Sequence, residues 1–125
     1  MSHRDLKFVL ITPEREVLSQ SVSKVVFTAH DGDVGVMPNR APLMCELGVG
    51  AVTYTVGGAS HSYFIEGGFA QVLDGVLTVL TDKAIPADEL TRGDAEKADR
   101  EARDATDPAD RSKAHRRAHA IRALL

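Results

Sequence analysis

The chain has 125 residues, 43% of them apolar, with a formal net charge of −3, one cysteine and no tryptophan. That is room for one domain, or for a small domain with an appendage, and enough apolar material for a packed core, which excludes wholesale disorder. It also excludes an internal disulfide and a strongly basic nucleic-acid binder; no run has the length of a bilayer span or the form of a signal peptide, so the expectation is a soluble protein of a reducing compartment with no direct membrane insertion.

The first 82 residues read as β throughout. LKFVLI (6–11), VLSQSV (17–22) and KVVFTA (24–29) are short, rich in β-branched or aromatic residues and bounded by turn residues. DGDVGVMPNRAPL (31–43) follows and reads as a rigid loop. Asp31-Gly32 favours a tight turn, Gly35 interrupts an apolar run, and Pro38 and Pro42 bracket a polar-basic tip, Asn39-Arg40. A loop restricted this heavily is expected to be used. Cys45 lies in a strand-like apolar run, LMCEL, and reads as a small buried hydrophobe rather than a nucleophile. AVTYTV (51–56) alternates, and with Gly57-Gly58 and ASHSYFIE it forms a hairpin. FAQVL and VLTVL flank Asp74-Gly75, a second hairpin. Eight to ten short strands with regular turn signals imply a β-sandwich or barrel.

After Ile85-Pro86 no Val, Phe or Tyr occurs. Ala95, Ala98, Ala102 and Ala105 form a helical stripe. Asp107 then suits an N-cap, Pro108 the first helical position, and Asp110 the positive end of the helix dipole. A second helix, with Ala114, Ala118, Ile121 and Leu125 on one stripe, runs to residue 125. Residues 1–86 are thus expected to be a mainly β body and residues 87–125 an antiparallel helical hairpin. Its seam is mostly alanine. At about 0.8 kcal/mol per buried methylene, such a seam is marginal without a partner surface. Charge helps the pairing: residues 88–107 carry 4 basic and 8 acidic side chains, residues 108–125 carry 5 and 1.

No catalytic constellation emerges. His30, Asp31 and Asp33 read as a solvated turn rather than a metal or acid–base site, because nothing nearby completes a ligand set. Glu66-Gly67-Gly68 lacks the Gly-Lys-Ser/Thr pattern of a phosphate loop and reads as a bend or bulge between strands. The expectation is no enzyme, no cofactor and no metal. The basic run Arg111 to Arg122 is open to three readings: a solvated face, a mate for the acidic first helix, or a probe for an acidic partner.

GVMPNRAPL (35–43), FIEGGFAQV (64–72) and LTVLTDKAI (77–85) resemble, in order and along the whole chain, the ε subunit of bacterial F-type ATP synthases, called δ in mitochondria. The resemblance implies a ten-stranded sandwich that binds the γ subunit and sits on the c-ring of the membrane sector. It implies a non-catalytic rotor subunit passing torque between that ring and the catalytic head, peripheral on the cytoplasmic face of the bacterial inner membrane. In many members the helices also extend into the α/β head and block ATP hydrolysis. Carried over by position, the c-ring contacts are Asp31, Gly32, Asp33, Asn39 and Arg40, with Gly35, Pro38 and Pro42 setting the loop's rigidity and approach. Arg40 stands where the family usually has His. In LTRGDA (90–95), Thr91 and Asp94 replace the Asp and Arg of the ATP-binding motif of some members, so no ATP binding is expected. The inhibitory helix maps to Arg111, Lys113, Arg116, Arg117 and Arg122, facing either an acidic segment of the β subunit or Asp94, Glu96, Asp99, Glu101 and Asp104 of the first helix. A free-standing sandwich that binds a peptide or carbohydrate is the alternative, weakened by the absence of Trp.

Overall fold

The computed structural model describes residues 5–125. Nine strands are present among the described residues: β1 (Leu6–Thr12), β2 (Arg15–Val22), β3 (Lys24–Ala29), β4 (Gly32–Val36), β5 (Leu43–Val56), β6 (Ala59–Glu66), β7 (Phe69–Leu73), β8 (Val76–Leu80) and β9 (Ala84–Pro86). A 3-10 turn (Ala87–Glu89) leads to α1 (Arg92–Asp104) and α2 (Pro108–Leu124).

The runs LMCEL and AVTYTV belong to one long strand, β5, which joins two sheets. Its first part, Leu43–Glu46, pairs with β7 and completes sheet 1, ordered β2-β1-β8-β7-β5. Its later part pairs with β3 and β6 in sheet 2, ordered β4-β3-β5-β6-β9. All strand pairs are antiparallel except β1 with β8. At the crossing, the register against β3 slips between Phe27 and Ala29. Gly50 is required there: a Cβ would stand 2.2 Å from the Thr28 hydroxyl, which instead accepts the Ala51 N–H at 3.1 Å.

Alternation packs the two sheets face to face. Phe8, Leu10, Leu77 and Val79 of sheet 1 meet Val25, Phe27, Val52 and Ile65 of sheet 2, all fully buried. Cys45 is half-buried against this core rather than fully inside it, and the burial pushes its thiol pKa up, which keeps it a poor nucleophile. Both hairpins turn where expected, with positive φ at Gly57, Gly58, Asp74 and Gly75.

Three expectations need correction. The stretch 31–43 is not a loop throughout: Gly32–Val36 is edge strand β4, because Val34 and Val36 alternate inward while Asp33 and Gly35 face out. Ala105 is not helical. It caps α1 in an extended conformation, and its carbonyl accepts the Arg111 guanidinium at 2.9 Å. Leu125 lies beyond the end of α2, 55% exposed, while Ala120 joins Ile121 in facing the sandwich.

The helices pair through Ala95, Ala98 and Ala102 of α1 and Ala114 and Ala118 of α2, all buried. The hairpin lies on the outer face of sheet 2. Ala120, Ile121 and Leu124 pack with Phe64, Val49, Ile85, Leu90 and Ala95 in a small cluster separate from the main core.

Candidate functional site

Strand β4 forms one edge of sheet 2, and the residues expected at the ring lie at its two ends. His30 and Asp31 form the turn from β3, and Gly32 and Asp33 are the first two residues of β4. At the far end, Met37-Pro38-Asn39-Arg40 folds as a type II turn: Pro38 sits where φ must be near −65°, Asn39 takes φ 70°, and the Arg40 N–H reaches the Met37 carbonyl at 3.3 Å. Four residue steps separate Asp33 from Met37, roughly 13 Å at strand rise. The expected set is therefore two exposed clusters along one edge. Arg40 is exposed and makes no ion pair among the described residues. At Gly35 a Cβ would meet nothing within 4 Å, so no packing inside the chain requires glycine there. Asp33 also lines a groove of ≈520 Å³ between sheet 2 and α2, opposite His115, Arg116 and His119.

The outer face of sheet 1 was not anticipated. Register places Ile11, Leu80 and Phe69 in one row across β1, β8 and β7, with Val9 and Met44 at the ends of the next row, Thr78 and Gln71 between them, and Lys7, Val76 and Leu73 in a third. Met44, Phe69, Leu73 and Leu80 are 47–67% exposed. Seven apolar side chains on one unpartnered sheet face are the mark of a protein contact. The signal was in the sequence. FAQVL and VLTVL are apolar at nearly every position, the pattern of strands covered on both faces.

The basic face of α2 is largely engaged within the chain. Arg117 grips Glu66 of β6 with two bonds, Nε to Oε1 at 2.7 Å and Nη2 to Oε2 at 2.8 Å, and reaches Glu101 of α1 at 3.0 Å. Lys113 Nζ lies 3.8 Å from Glu66. Arg122 pairs with Asp99. The Arg117 fork holds the Glu66 carboxyl below the usual carboxylate range, against the opposing effect of burial. Of the five acidic partners expected on α1, Asp99 and Glu101 are used in ion pairs; Glu96 and Asp104 form none among the described residues. Arg116 also forms none. The sequence pattern marks Glu66 only as part of a bend. The bend is there, but its side chain is an anchor for α2.

Thr91 and Asp94 act as a capping box. The Thr91 hydroxyl accepts the Asp94 N–H at 3.1 Å, and the Asp94 carboxylate accepts the Thr91 N–H at 2.9 Å. The cavity beside them, lined by Lys83, Lys97, Glu101 and Arg117, is ≈220 Å³, below the ~300 Å³ of ordinary ligand pockets. Among the described residues, no three His, Cys, Asp or Glu side chains are arranged to hold a metal ion, and no helix is long and apolar enough to cross a membrane.

Residues 5–87 match the family described as ATP synthase, Delta/Epsilon chain, beta-sandwich domain. The chain is 40% identical over 99 residues to the ATP synthase epsilon chain of Rhodopirellula baltica, covering 79% of this chain and 77% of that one. It is 36% identical over 124 residues to that of Rhodospirillum rubrum, 95% and 92% of the two chains, helices included. A chain of the Euglena gracilis mitochondrial ATP synthase (OSCP/F1/c-ring) superposes with TM-score 0.85 at 26% identity, covering 96% of this chain and 81% of that one. One from the central stalk/c-ring of the Tetrahymena thermophila enzyme superposes with TM-score 0.69 at 18% identity, a likeness of fold alone, over 94% and 92%. These likenesses do not favour the peptide- or carbohydrate-binding alternative. The chain belongs to the delta/epsilon family of ATP synthase subunits, and as such is a non-catalytic stalk component of the rotary complex.

Proposed function

We propose that the sandwich, residues 1–86, clamps onto a γ subunit through the outer face of sheet 1 and rests on the c-ring through the two ends of β4. Residues 87–125 then serve as a regulatory arm directed at the catalytic α and β subunits. The subunit is peripheral, on the cytoplasmic face of a bacterial plasma membrane. The observation that carries this reading is the apolar face built from Val9, Ile11, Met44, Phe69, Leu73, Val76 and Leu80. A stable interface needs more than about 1,000 Å² of buried surface with a substantial apolar part, and this face supplies that part, with Thr78 and Gln71 left for polar contacts in its middle row. The edge of β4 is polar and charged, with Asp31, Asp33, Asn39 and Arg40, as befits contact with polar ring loops rather than with lipid. ATP sensing is outside this reading, since Thr91 and Asp94 are committed to the helix cap.

Size-exclusion chromatography with purified γ at micromolar concentration tests it. Wild-type chain co-elutes with γ, and Leu80→Arg elutes separately although its sandwich remains folded by circular dichroism. Separate wild-type peaks, or a Leu80→Arg chain that still co-elutes, would overturn the assignment of this face.

A further inference from the structure

Glu66 is a preorganised acceptor. Its backbone is clamped by Thr81, a polar side chain buried to 3% exposure. The Thr81 hydroxyl accepts the Glu66 N–H at 3.3 Å and lies within reach of the carbonyls of Lys83 at 3.1 Å and Glu66 at 3.3 Å. Immediately after it, Gly67 and Gly68 take φ 72° and 107° and bring the chain so close to β8 that a Cβ on Gly68 would stand 1.9 Å from the Leu80 carbonyl oxygen. The backbone is thus fixed on both sides of a carboxylate aimed at α2. That carboxylate is 12% exposed, and its Arg117 partner 21%.

Arg117 holds a carboxylate on each side, Glu66 of the sandwich and Glu101 of its own hairpin. Lifting α2 alone would strand both acids and would also break Arg122–Asp99 and the alanine seam. Among the described residues, lifting the hairpin as a unit breaks the Glu66 contacts, the cluster around Ile121 and the packing of α2 along β5, while Arg117 keeps Glu101 and the alanine seam stays closed. We propose that Glu66 is the receptor that positions the resting arm, and that α1 and α2 leave it together as one body. The inference rests on the reading of the hairpin as a movable arm. The chain bends N-terminal to α1, in Ala87–Leu90.

Amide hydrogen exchange on the isolated full chain tests this without the complex. In Glu66→Gln the amides of α1 and α2 exchange about tenfold or more faster, in parallel, as loss of one charge-assisted bidentate pair implies. Amides of β1 and β8 keep their protection. Arg117→Lys retains the charge but loses the fork, and accelerates both helices to a lesser degree. Unchanged exchange in both variants overturns the receptor role. Acceleration of α2 without α1 overturns departure as one body. Should Glu66→Gln loosen β6 as well, Arg117→Lys, which leaves every residue of β6 unchanged, decides by the same two criteria. Co-elution with γ is read separately: Glu66 lies on the outer face of sheet 2, away from the apolar face of sheet 1, so Glu66→Gln still co-elutes. Failure of wild-type chain to bind γ would sink the stalk assignment and leave the exchange result standing.

Discussion

Gly35 and Gly68 both sit in runs that match the family, for opposite physical reasons. Gly68 has φ 107° and no room for a Cβ, because backbone atoms of Leu80 and Thr81 fill the space. Gly35 faces open solvent. Gly68→Ala should therefore cost more than about 2 kcal/mol in urea unfolding, combining positive-φ strain with a backbone clash. Gly35→Ala should stay within about 1 kcal/mol of wild type, and any larger effect of Gly35→Ala belongs to assembly, not folding. A wild-type-like Gly68→Ala would mean that the strand pair can open there. Glu66 gives a second residue-scale prediction. Its folded pKa is depressed below the ordinary ~4.3, with the Arg117 hydrogen bonds as the largest cause. A depressed carboxylate contributes stability above its unfolded pKa and loses it as pH falls through the folded one. The difference in unfolding temperature between wild type and Glu66→Gln should thus be flat from about pH 8 to 5 and close below about pH 4. A difference that widens toward acid would show that Glu66 is not held as an anion.

At the level of elements, the capping box explains what the departures from the nucleotide motif do. Thr91 and Asp94 satisfy two backbone donors at the start of a helix whose buried residues are all alanine, so the cap carries an unusual share of its stability. Thr91→Ala should cost ~1 kcal/mol in thermal unfolding and lower the far-ultraviolet helix signal before any loss of the sandwich. Simultaneous loss of both signals would make α1 part of one cooperative unit with the strands. Much of this architecture was legible in the sequence. The two-residue hairpins, the Asp107-Pro108 start of α2 and the alanine seam follow from local rules, and Asp107 does accept the Ala109 N–H at 2.9 Å. Ala105 misled because periodicity alone does not reveal where a cap ends a helix. β4 was missed because two glycines hid a two-residue alternation. The pair of Glu66 and Arg117, 51 residues apart, depends on which face of α2 docks, and no local pattern encodes that.

The whole molecule presents three surfaces with different physics: an apolar face on sheet 1, a charged edge at β4, and a hairpin docked on sheet 2. Arg40, at the Met37–Arg40 end of the edge, and the hairpin should fail independently, since effects of distant sites add when no partner is shared; Asp33, by contrast, shares a groove with α2. Arg40→Glu should weaken ion pumping per ATP hydrolysed in reconstituted enzyme while leaving chain stability within ~0.5 kcal/mol. Unchanged pumping would remove Arg40 from the ring contacts. Deleting residues 108–125 acts at the other surface. It removes Arg116, which is unpaired among the described residues, together with Lys113 and Arg117, and it uncovers Phe64, Val49 and Ile85. If the arm inhibits, the assembled complex should hydrolyse ATP faster after deletion, with coupling at Arg40 intact. Salt separates electrostatic from apolar holding. The exposed Asp99–Arg122 pair is screened as the Debye length falls from ~10 Å at 0.1 M to ~3 Å at 1 M, whereas Glu66, at 12% exposure, is screened less. The resting arm should thus remain docked at salt concentrations that weaken its attraction to an acidic partner, so wild-type hydrolysis should rise with salt toward the rate of the deleted form. Equal rates for the two forms at low and at high salt would leave the helices a purely structural role.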